Sequence, residues 1–101
     1  MSEKKILHLT LKKEWFDEIA MGKKKSEYRE DKPYWRKRLI GSDGIFKQFD
    51  EVHFRNGYSK NSPFMRVEFI TTSRILNAKD IWIFGIYLGD ILEIRNWKEK
   101  E

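Results

Sequence analysis

The spacing of hydrophobic residues changes early in the chain, from every second position to helical spacing. Leucines stand at every second position in "ILHLTL", at Leu7, Leu9 and Leu11, and this alternation predicts a strand with a buried face. The segment "KEWFDEIAMG" repeats its apolar residues at helical spacing, which predicts a short amphipathic helix. Gly22 stands where such a helix ends in a left-handed cap. The predicted buried stripe of this helix has four members: Trp15, Phe16, Ile19 and Ala20.

The segment after this helix, "KKSEYRE", alternates again and predicts a second strand. We expect Tyr28 to point toward the core. The break at "DKP" places Pro33 in the first turn of a second helix over "PYWRKRLI", which "GSDG" closes. The alternation assigns six residues of the strand to two faces: Lys25, Glu27 and Arg29 to one, and Lys24, Ser26 and Tyr28 to the other.

Strand patterns dominate the second half of the chain. They predict a strand from Glu51 to Arg55 and a long one over "FMRVEFITTSRIL". The run "IWIFGIYLGDILEI" predicts two further strands, joined by a tight turn at Gly89-Asp90, with a bulge or a close backbone approach at Gly85. We therefore expect an α+β protein. Its architecture is predicted as a small mixed β-barrel of five to six strands with two or three short helices.

The length and composition indicate one domain, residues 1–101, with a core over about residues 5–95. The chain has no cysteine, which excludes disulfides and thiolate metal sites and fits a reducing compartment. The N-terminus lacks the apolar core of a secretory signal, and the longest apolar run, Ile81 to Leu88, is too short to span a bilayer. We expect a cytoplasmic protein that binds no membrane, with a monomer as the default.

The net charge of +5 is concentrated in one segment. Between Lys23 and Arg38 there are eight basic and three acidic residues, whereas the remaining residues carry equal numbers of each. A basic block on a neutral body is typical of proteins that bind polyanions. The alternative is a solvated charged face, but Tyr28, Tyr34 and Trp35 lie within the block and favour binding.

The sequence contains no motif for a metal or a cofactor. His8 and His53 are far apart and have no other ligand at metal-binding spacing. There is also no Ser/His/Asp arrangement, phosphate-binding P-loop or dinucleotide fingerprint. We therefore predict no metal and no cofactor.

A strand, a short helix that ends in glycine, and then G-x-K-x-x-E-x-R resemble the ASCH domain of the PUA-like superfamily. The motif residues here are Gly22, Lys24, Glu27 and Arg29, and "FRNGY" and "FGIYLGDILEI" are similar to later strands of that family. The resemblance covers about residues 5 to 95. It implies a PUA-like barrel with a cleft between barrel and helices, lined by the motif residues, and RNA or a nucleotide as the ligand.

One branch of that family hydrolyses the acetyl amide of acetylated cytidine with a Lys, a Thr and a later Glu. Lys24 matches the Lys, but Glu27 stands where that branch has Thr, and no residue here aligns with the third member. Many members also carry Thr where this chain has Lys25. Both departures weaken a hydrolase assignment.

Lys24, Glu27 and Arg29 are the central candidates. Lys24 suits phosphate binding, which needs only charge and reach, whereas a nucleophile or base needs a depressed pKa. Glu27 suits either a structural ion pair with Lys24 or Arg29, or hydrogen bonding to a base edge and general-base work. Arg29 suits phosphate binding, but within a strand we favour pairing with an acid such as Glu27 or Glu68.

Six further residues complete the candidate ligand site. Tyr34 and Trp35 suit base stacking, although we expect at least one of them in the core. Arg36, Lys37 and Arg38 are expected to form an exposed cluster that contacts phosphates nonspecifically or not at all. Asn56 and Tyr58 lie in a predicted loop, where we expect them to form a turn in the first place and to contact a ligand in the second. The ligand-site candidates beyond the motif are Lys25, Tyr34, Trp35, Arg38, Asn56 and Tyr58.

Three functions fit these residues. The one we favour is an RNA- or nucleotide-binding module with a basic cleft. The second is a small hydrolase, a nucleoside amidohydrolase or a ribonuclease, that uses Lys24 and Glu27. The third is a protein-interaction module whose basic block docks an acidic partner.

Overall fold

The computed structural model describes residues 3–98 and contains five strands and two helices in that range. This confirms the α+β class. It also confirms Pro33 in the first turn of the second helix. The elements in chain order are β1 (Ile6–Thr10), α1 (Lys13–Ala20), β2 (Ser26–Glu30), α2 (Pro33–Leu39), β3 (Glu51–Arg55), β4 (Phe64–Leu76) and β5 (Trp82–Arg95).

All five strands form one mixed sheet in the order β1-β3-β4-β5-β2. β1 and β3 are parallel, and every other neighbouring pair is antiparallel. The sheet curls into a half-barrel, with β1 and β2 as its two edge strands. We call the gap between these two edges the seam.

The prediction of two strands joined by a turn at Gly89-Asp90 is wrong. β5 runs unbroken through this point as a bulge, where Gly89 and Asp90 both stand opposite Glu68 of β4. The Glu68 carboxylate accepts a hydrogen bond of 2.9 Å from the backbone N–H of Asp90, and a Cβ on Gly89 would lie 3.0 Å from that carboxylate. The prediction of a bulge or a close backbone approach at Gly85 is wrong, because Gly85 stands in regular register with Tyr28 and Ser73, and the atoms close to it belong to the Tyr87 side chain. Because bulges add twist, the long strands β4 and β5 bend and the sheet curls.

The core fills the inside of this curl. Phe16 and Ile19 of α1 pack there with Phe54 of β3 and Phe84 of β5. Trp15 was predicted in the same stripe, but it is 40% exposed. Successive residues of a helix lie about 100° apart around its axis. Phe16 and Ile19 therefore lie at the centre of the buried stripe, and Trp15 lies at its edge.

The end of α1 is a Schellman motif, which fixes where the basic segment starts. Gly22 has a φ of 76°, as predicted for a left-handed cap. Its N–H donates to the Ile19 carbonyl at 3.0 Å, and the Lys23 N–H donates to the Glu18 carbonyl at 2.9 Å. The Lys24 N–H shares that Glu18 carbonyl at 3.2 Å, so the cap also positions Lys24. Neither helix in residues 3–98 is long and apolar enough to cross a membrane.

Candidate functional site

A cleft of about 250 Å³ lies at the seam, where the end of β1 and the start of α1 meet β2. We call it the Glu27 cleft. Curling of the sheet brings the two edges together here, and the Arg29 side chain of β2 donates a hydrogen bond of 3.2 Å to the Thr10 carbonyl of β1. The cleft is lined by Thr10, Leu11, Lys12, Trp15, Glu27 and Arg29.

Glu27 is the buried anion of this cleft, with only 4% of its surface exposed. Its Oε1 lies 3.1 Å from Lys24 Nζ, and its Oε2 lies 3.0 Å from Arg29 Nη1. The Tyr28 N–H also donates to Oε1, at 3.1 Å. One carboxylate therefore orients two cations, as the sequence predicted for its structural role.

Each of the two cations also lies against the ring of a tryptophan. Lys24 Nζ is 4.5 Å from the Trp15 ring centroid, and Arg29 Cζ is 5.2 Å from the Trp35 ring centroid. Such contacts are attractive because the ring face carries partial negative charge. The side chains of Lys24 and Arg29 are both 20% exposed. Arg29 lines the Glu27 cleft, whereas Lys24 lines a neighbouring cavity on the other side of its ion pair with Glu27.

The charge balance of this cluster favours an anion. Two cations share one carboxylate, and Lys12 at the rim is exposed. Removal of water from such a site strengthens attraction for a phosphate or carboxylate group. The exposed indole ring of Trp15, which lines the cleft, is suited to stacking on a planar ring. The arrangement can therefore bind an anionic group and an aromatic group side by side.

The inward position of Glu27 overturns the prediction for its neighbour Tyr28. Tyr28 is 41% exposed and does not point toward the core. Strand alternation places neighbouring residues on opposite faces, so burial of Glu27 turns Tyr28 outward. Glu27 can be the buried side chain of this pair because the two cations compensate its charge.

Arg38 extends the cluster from α2 toward β1. Its guanidinium lies 5.4 Å from the Tyr34 ring and 5.8 Å from the Trp35 ring, and it donates to the His8 carbonyl at 3.3 Å. Within residues 3–98 its buried Nε has no hydrogen-bond partner. Arg38 is thus half-buried in an aromatic cluster, which corrects the expectation of a simple exposed charge. Of the predicted group, only Lys37 is exposed without an ion pair in this part of the chain, because Arg36 pairs with Asp31.

The two aromatic candidates of α2 behave differently. Trp35 packs partly buried against the core, which confirms the expectation for at least one of the pair. Tyr34 is exposed and meets Trp35 edge to face, with 4.9 Å between the ring centroids. Trp35 therefore joins Arg29 to Arg38, and Tyr34 contacts both Trp35 and Arg38.

Lys25, Asn56 and Tyr58 lie outside the Glu27 cleft. Lys25 is exposed and lines a neighbouring cavity of about 190 Å³ beside the β5 bulge. Asn56 donates a hydrogen bond of 2.8 Å to the Leu11 carbonyl, so it supports the cleft from behind. Tyr58 is 91% exposed, and between residues 3 and 98 no hydrogen bond or ring contact joins it to the cleft.

Sequence reasoning missed Trp15 as a cleft residue. The available signal was its place at the edge of the helical stripe, on a helix that ends just before the lysines. The sequence also gave no sign that the Thr10 carbonyl would accept a hydrogen bond from Arg29, because this contact joins two strands that are far apart in the sheet order.

A second charged cluster lies on the outer face of the sheet, around Glu51. This buried carboxylate accepts hydrogen bonds from Lys4 at 2.8 Å and Arg66 at 2.7 Å, and lies 3.0 Å from His53 Nε2. These contacts, with Lys4 contributing most, lower the pKa of Glu51 to about 2. Partial burial lowers the pKa of the neighbouring His8, with smaller contributions from His53, Arg38 and Arg55.

The described residues contain no group of three or more His, Cys, Asp or Glu side chains that could hold a metal ion. No family model, no curated protein and no solved structure matches this chain. The ASCH resemblance therefore stays a prediction that rests on the sequence features named above.

Proposed function

We propose that this chain is an RNA- or nucleotide-binding module of the ASCH type, which holds its ligand in the Glu27 cleft. The observation that supports this most is the buried Glu27 carboxylate, which pairs with Lys24 and Arg29, and each of these two cations lies against an indole ring. The basic block that contains these residues supplies the whole net charge of the protein.

Each group in the cleft has a role that follows from its chemistry. Lys24 and Arg29 bind phosphate oxygens, Lys24 as a point charge and Arg29 through its planar fork. Trp15, which lines the cleft, stacks on a base, and Trp35 packs against the Arg29 guanidinium from the side of the core. Glu27 is a positioning residue, because both of its oxygens are engaged by the two cations and it compensates one of the two positive charges when the cleft is empty.

A titration with nucleoside monophosphates and short single-stranded RNA, followed by tryptophan fluorescence and calorimetry, tests the proposal. Lys24→Ala removes a charged hydrogen-bond donor and is expected to weaken binding by about tenfold. Lys79→Ala, in the exposed β4–β5 turn, removes the same charge and is the matched control. Equal affinity of wild type, Lys24→Ala and Lys79→Ala would contradict the proposal.

The 3.1 Å contact between Lys24 Nζ and Glu27 also suits the alternative, a small hydrolase that uses these two residues. The same RNA mixtures, and mixtures with acetylated cytidine, are therefore analysed by mass spectrometry. The binding module predicts unchanged substrates. Product that forms with wild type and is lost in Lys24→Ala and Glu27→Gln would replace the binding module with an enzyme.

A further inference from the structure

A row of side chains crosses the outer face of the sheet and begins at the Glu27 cleft. We call it the outer row. Cross-strand register places its members directly opposite one another on four neighbouring strands: Thr10 opposite Arg55, Arg55 opposite Phe64, and Phe64 opposite Arg95. The Thr10 end lines the cleft, and its carbonyl accepts the hydrogen bond from Arg29. The outer row is therefore continuous with the cleft.

Two arginines of the outer row cover one phenylalanine. Arg55 Cζ lies 4.8 Å and Arg95 Cζ lies 4.3 Å from the Phe64 ring centroid. Phe64 is buried beneath them, whereas both arginines are exposed. Stacking on the ring fixes the guanidinium groups on the surface and leaves their outward sides open to solvent.

The charges of the outer row are incompletely compensated. In the part of the chain that the structure describes, Arg55 has no ion-pair partner, and Arg95 is paired only with the half-exposed Glu93 at 2.8 Å. The adjoining row contributes His8 and His53, whose rings meet edge to face with 5.4 Å between centroids. The surface therefore combines exposed guanidinium groups with the exposed ring of His8, and such a combination binds phosphates and bases of single strands.

The extent of the outer row exceeds what one nucleotide can contact. Neighbouring strands are about 4.8 Å apart, so the backbones of Arg55 and Arg95, which lie two strands apart, are separated by about 10 Å. A mononucleotide in the Glu27 cleft cannot reach both. Only a chain of several nucleotides can occupy the cleft and continue over this row.

We propose that the ligand is a single-stranded RNA of several nucleotides, which enters the Glu27 cleft at one end and continues over Arg55 and Arg95. This inference rests on the proposed function of the cleft. The outer face is the convex side of a curled sheet, and a path from the seam onto it has to turn. A flexible single strand follows such a turn, whereas a nucleic-acid duplex is stiff over this length.

The test compares a mononucleotide with single-stranded and duplex RNA of about eight nucleotides, a length within the usual site size for single strands. Arg55→Ala and Arg95→Ala are each measured beside Lys24→Ala and the charge-matched control Lys79→Ala. For the single strand, each arginine variant is expected to bind about fivefold more weakly. Its slope of log affinity against log salt is expected to fall by about 0.7, the loss of one phosphate contact. The affinity for the mononucleotide is expected to match that of wild type.

The outcomes separate this inference from the proposed function. If Lys24→Ala weakens mononucleotide binding but both arginine variants bind the single strand as Lys79→Ala does, the outer row is refuted and the cleft stands. If the arginine variants bind the single strand more weakly but Lys24→Ala changes the affinity for no ligand, the Glu27 cleft is refuted as the binding site. The proposed path of the RNA from the cleft onto the outer row is then refuted as well. Duplex binding that is equal to single-strand binding, and equally sensitive to Arg55→Ala, also overturns the inference.

Discussion

Replacement of Glu51 by glutamine removes the charge at the centre of the cluster on the outer sheet face. Glu51 is buried on β3 and receives hydrogen bonds from Lys4 and Arg66, with His53 beside it. Glutamine has nearly the same shape, so the substitution tests the charge and not the packing. It leaves Arg66 without its partner on β3.

The magnitude follows from the pKa of this carboxyl. Its contacts lower the pKa from 4.5 to about 2, which corresponds to about 3 kcal/mol of stabilisation of the folded state. Because the folded pKa is the lower one, this contribution is complete above pH 4.5 and is lost as the pH falls from there to about 2. Glu51→Gln should therefore cost about 3 kcal/mol at pH 7, and its difference from wild type should shrink steadily below pH 4.5.

Urea unfolding followed by tryptophan fluorescence, repeated from pH 7 down to pH 3, measures this difference. Glu30→Gln is the control, since Glu30 forms an exposed ion pair with Lys32 at 3.3 Å and should change stability by less than about 1 kcal/mol. A loss below about 1 kcal/mol for Glu51→Gln at pH 7, or a loss that does not vary with pH, would refute the reasoning.

Three further predictions concern the helix cap at Gly22, the core around Phe84 and the lowered pKa of His8. Gly22→Ala should lower the free energy of unfolding in urea by about 1 kcal/mol, because a φ of 76° is unfavourable for a residue with a side chain. It should also weaken RNA binding, because the same cap positions Lys24. Unchanged stability would contradict the Schellman assignment. Phe84→Ala should cost about 3 to 5 kcal/mol, since the ring is fully buried, and a loss under about 1 kcal/mol would contradict its central position in the core. Burial lowers the pKa of His8, so protonation of His8 opposes folding. The stability of wild type should therefore fall below pH 6.5, and His8→Gln should lose less stability between pH 7 and pH 5. Parallel curves of stability against pH for the two proteins would contradict this.

Local patterns were sufficient to predict most elements of the fold. The bounds of β3 and β4 match the predicted segments, and the cap at Gly22 and the helix start at Pro33 follow from backbone preferences that single residues impose. The bulge in β5 could not be distinguished from a turn, because Gly-Asp suits both. The difference arises from the Glu68 carboxylate on β4, which satisfies the Asp90 N–H.

The candidate site was predictable only in part, for a similar reason. The motif brought Lys24, Glu27 and Arg29 together within one strand and its entry, so local spacing was informative. The contribution of Trp15 and the outward turn of Tyr28 depend on how α1 and β2 pack around the seam. The outer row is invisible in the sequence, because its members come from four strands and meet only through their register.

The salt dependence of RNA affinity shows whether the protein binds RNA through its phosphates and whether Lys24 contributes one of the phosphate contacts. Wild type and Lys24→Ala are titrated calorimetrically with the same short single-stranded RNA over a range of salt concentrations. We expect affinity that falls steeply with salt in wild type, and weaker binding with a slope smaller by about 0.7 in Lys24→Ala. Absence of binding by wild type at low salt, or identical curves for the two proteins, would contradict this expectation.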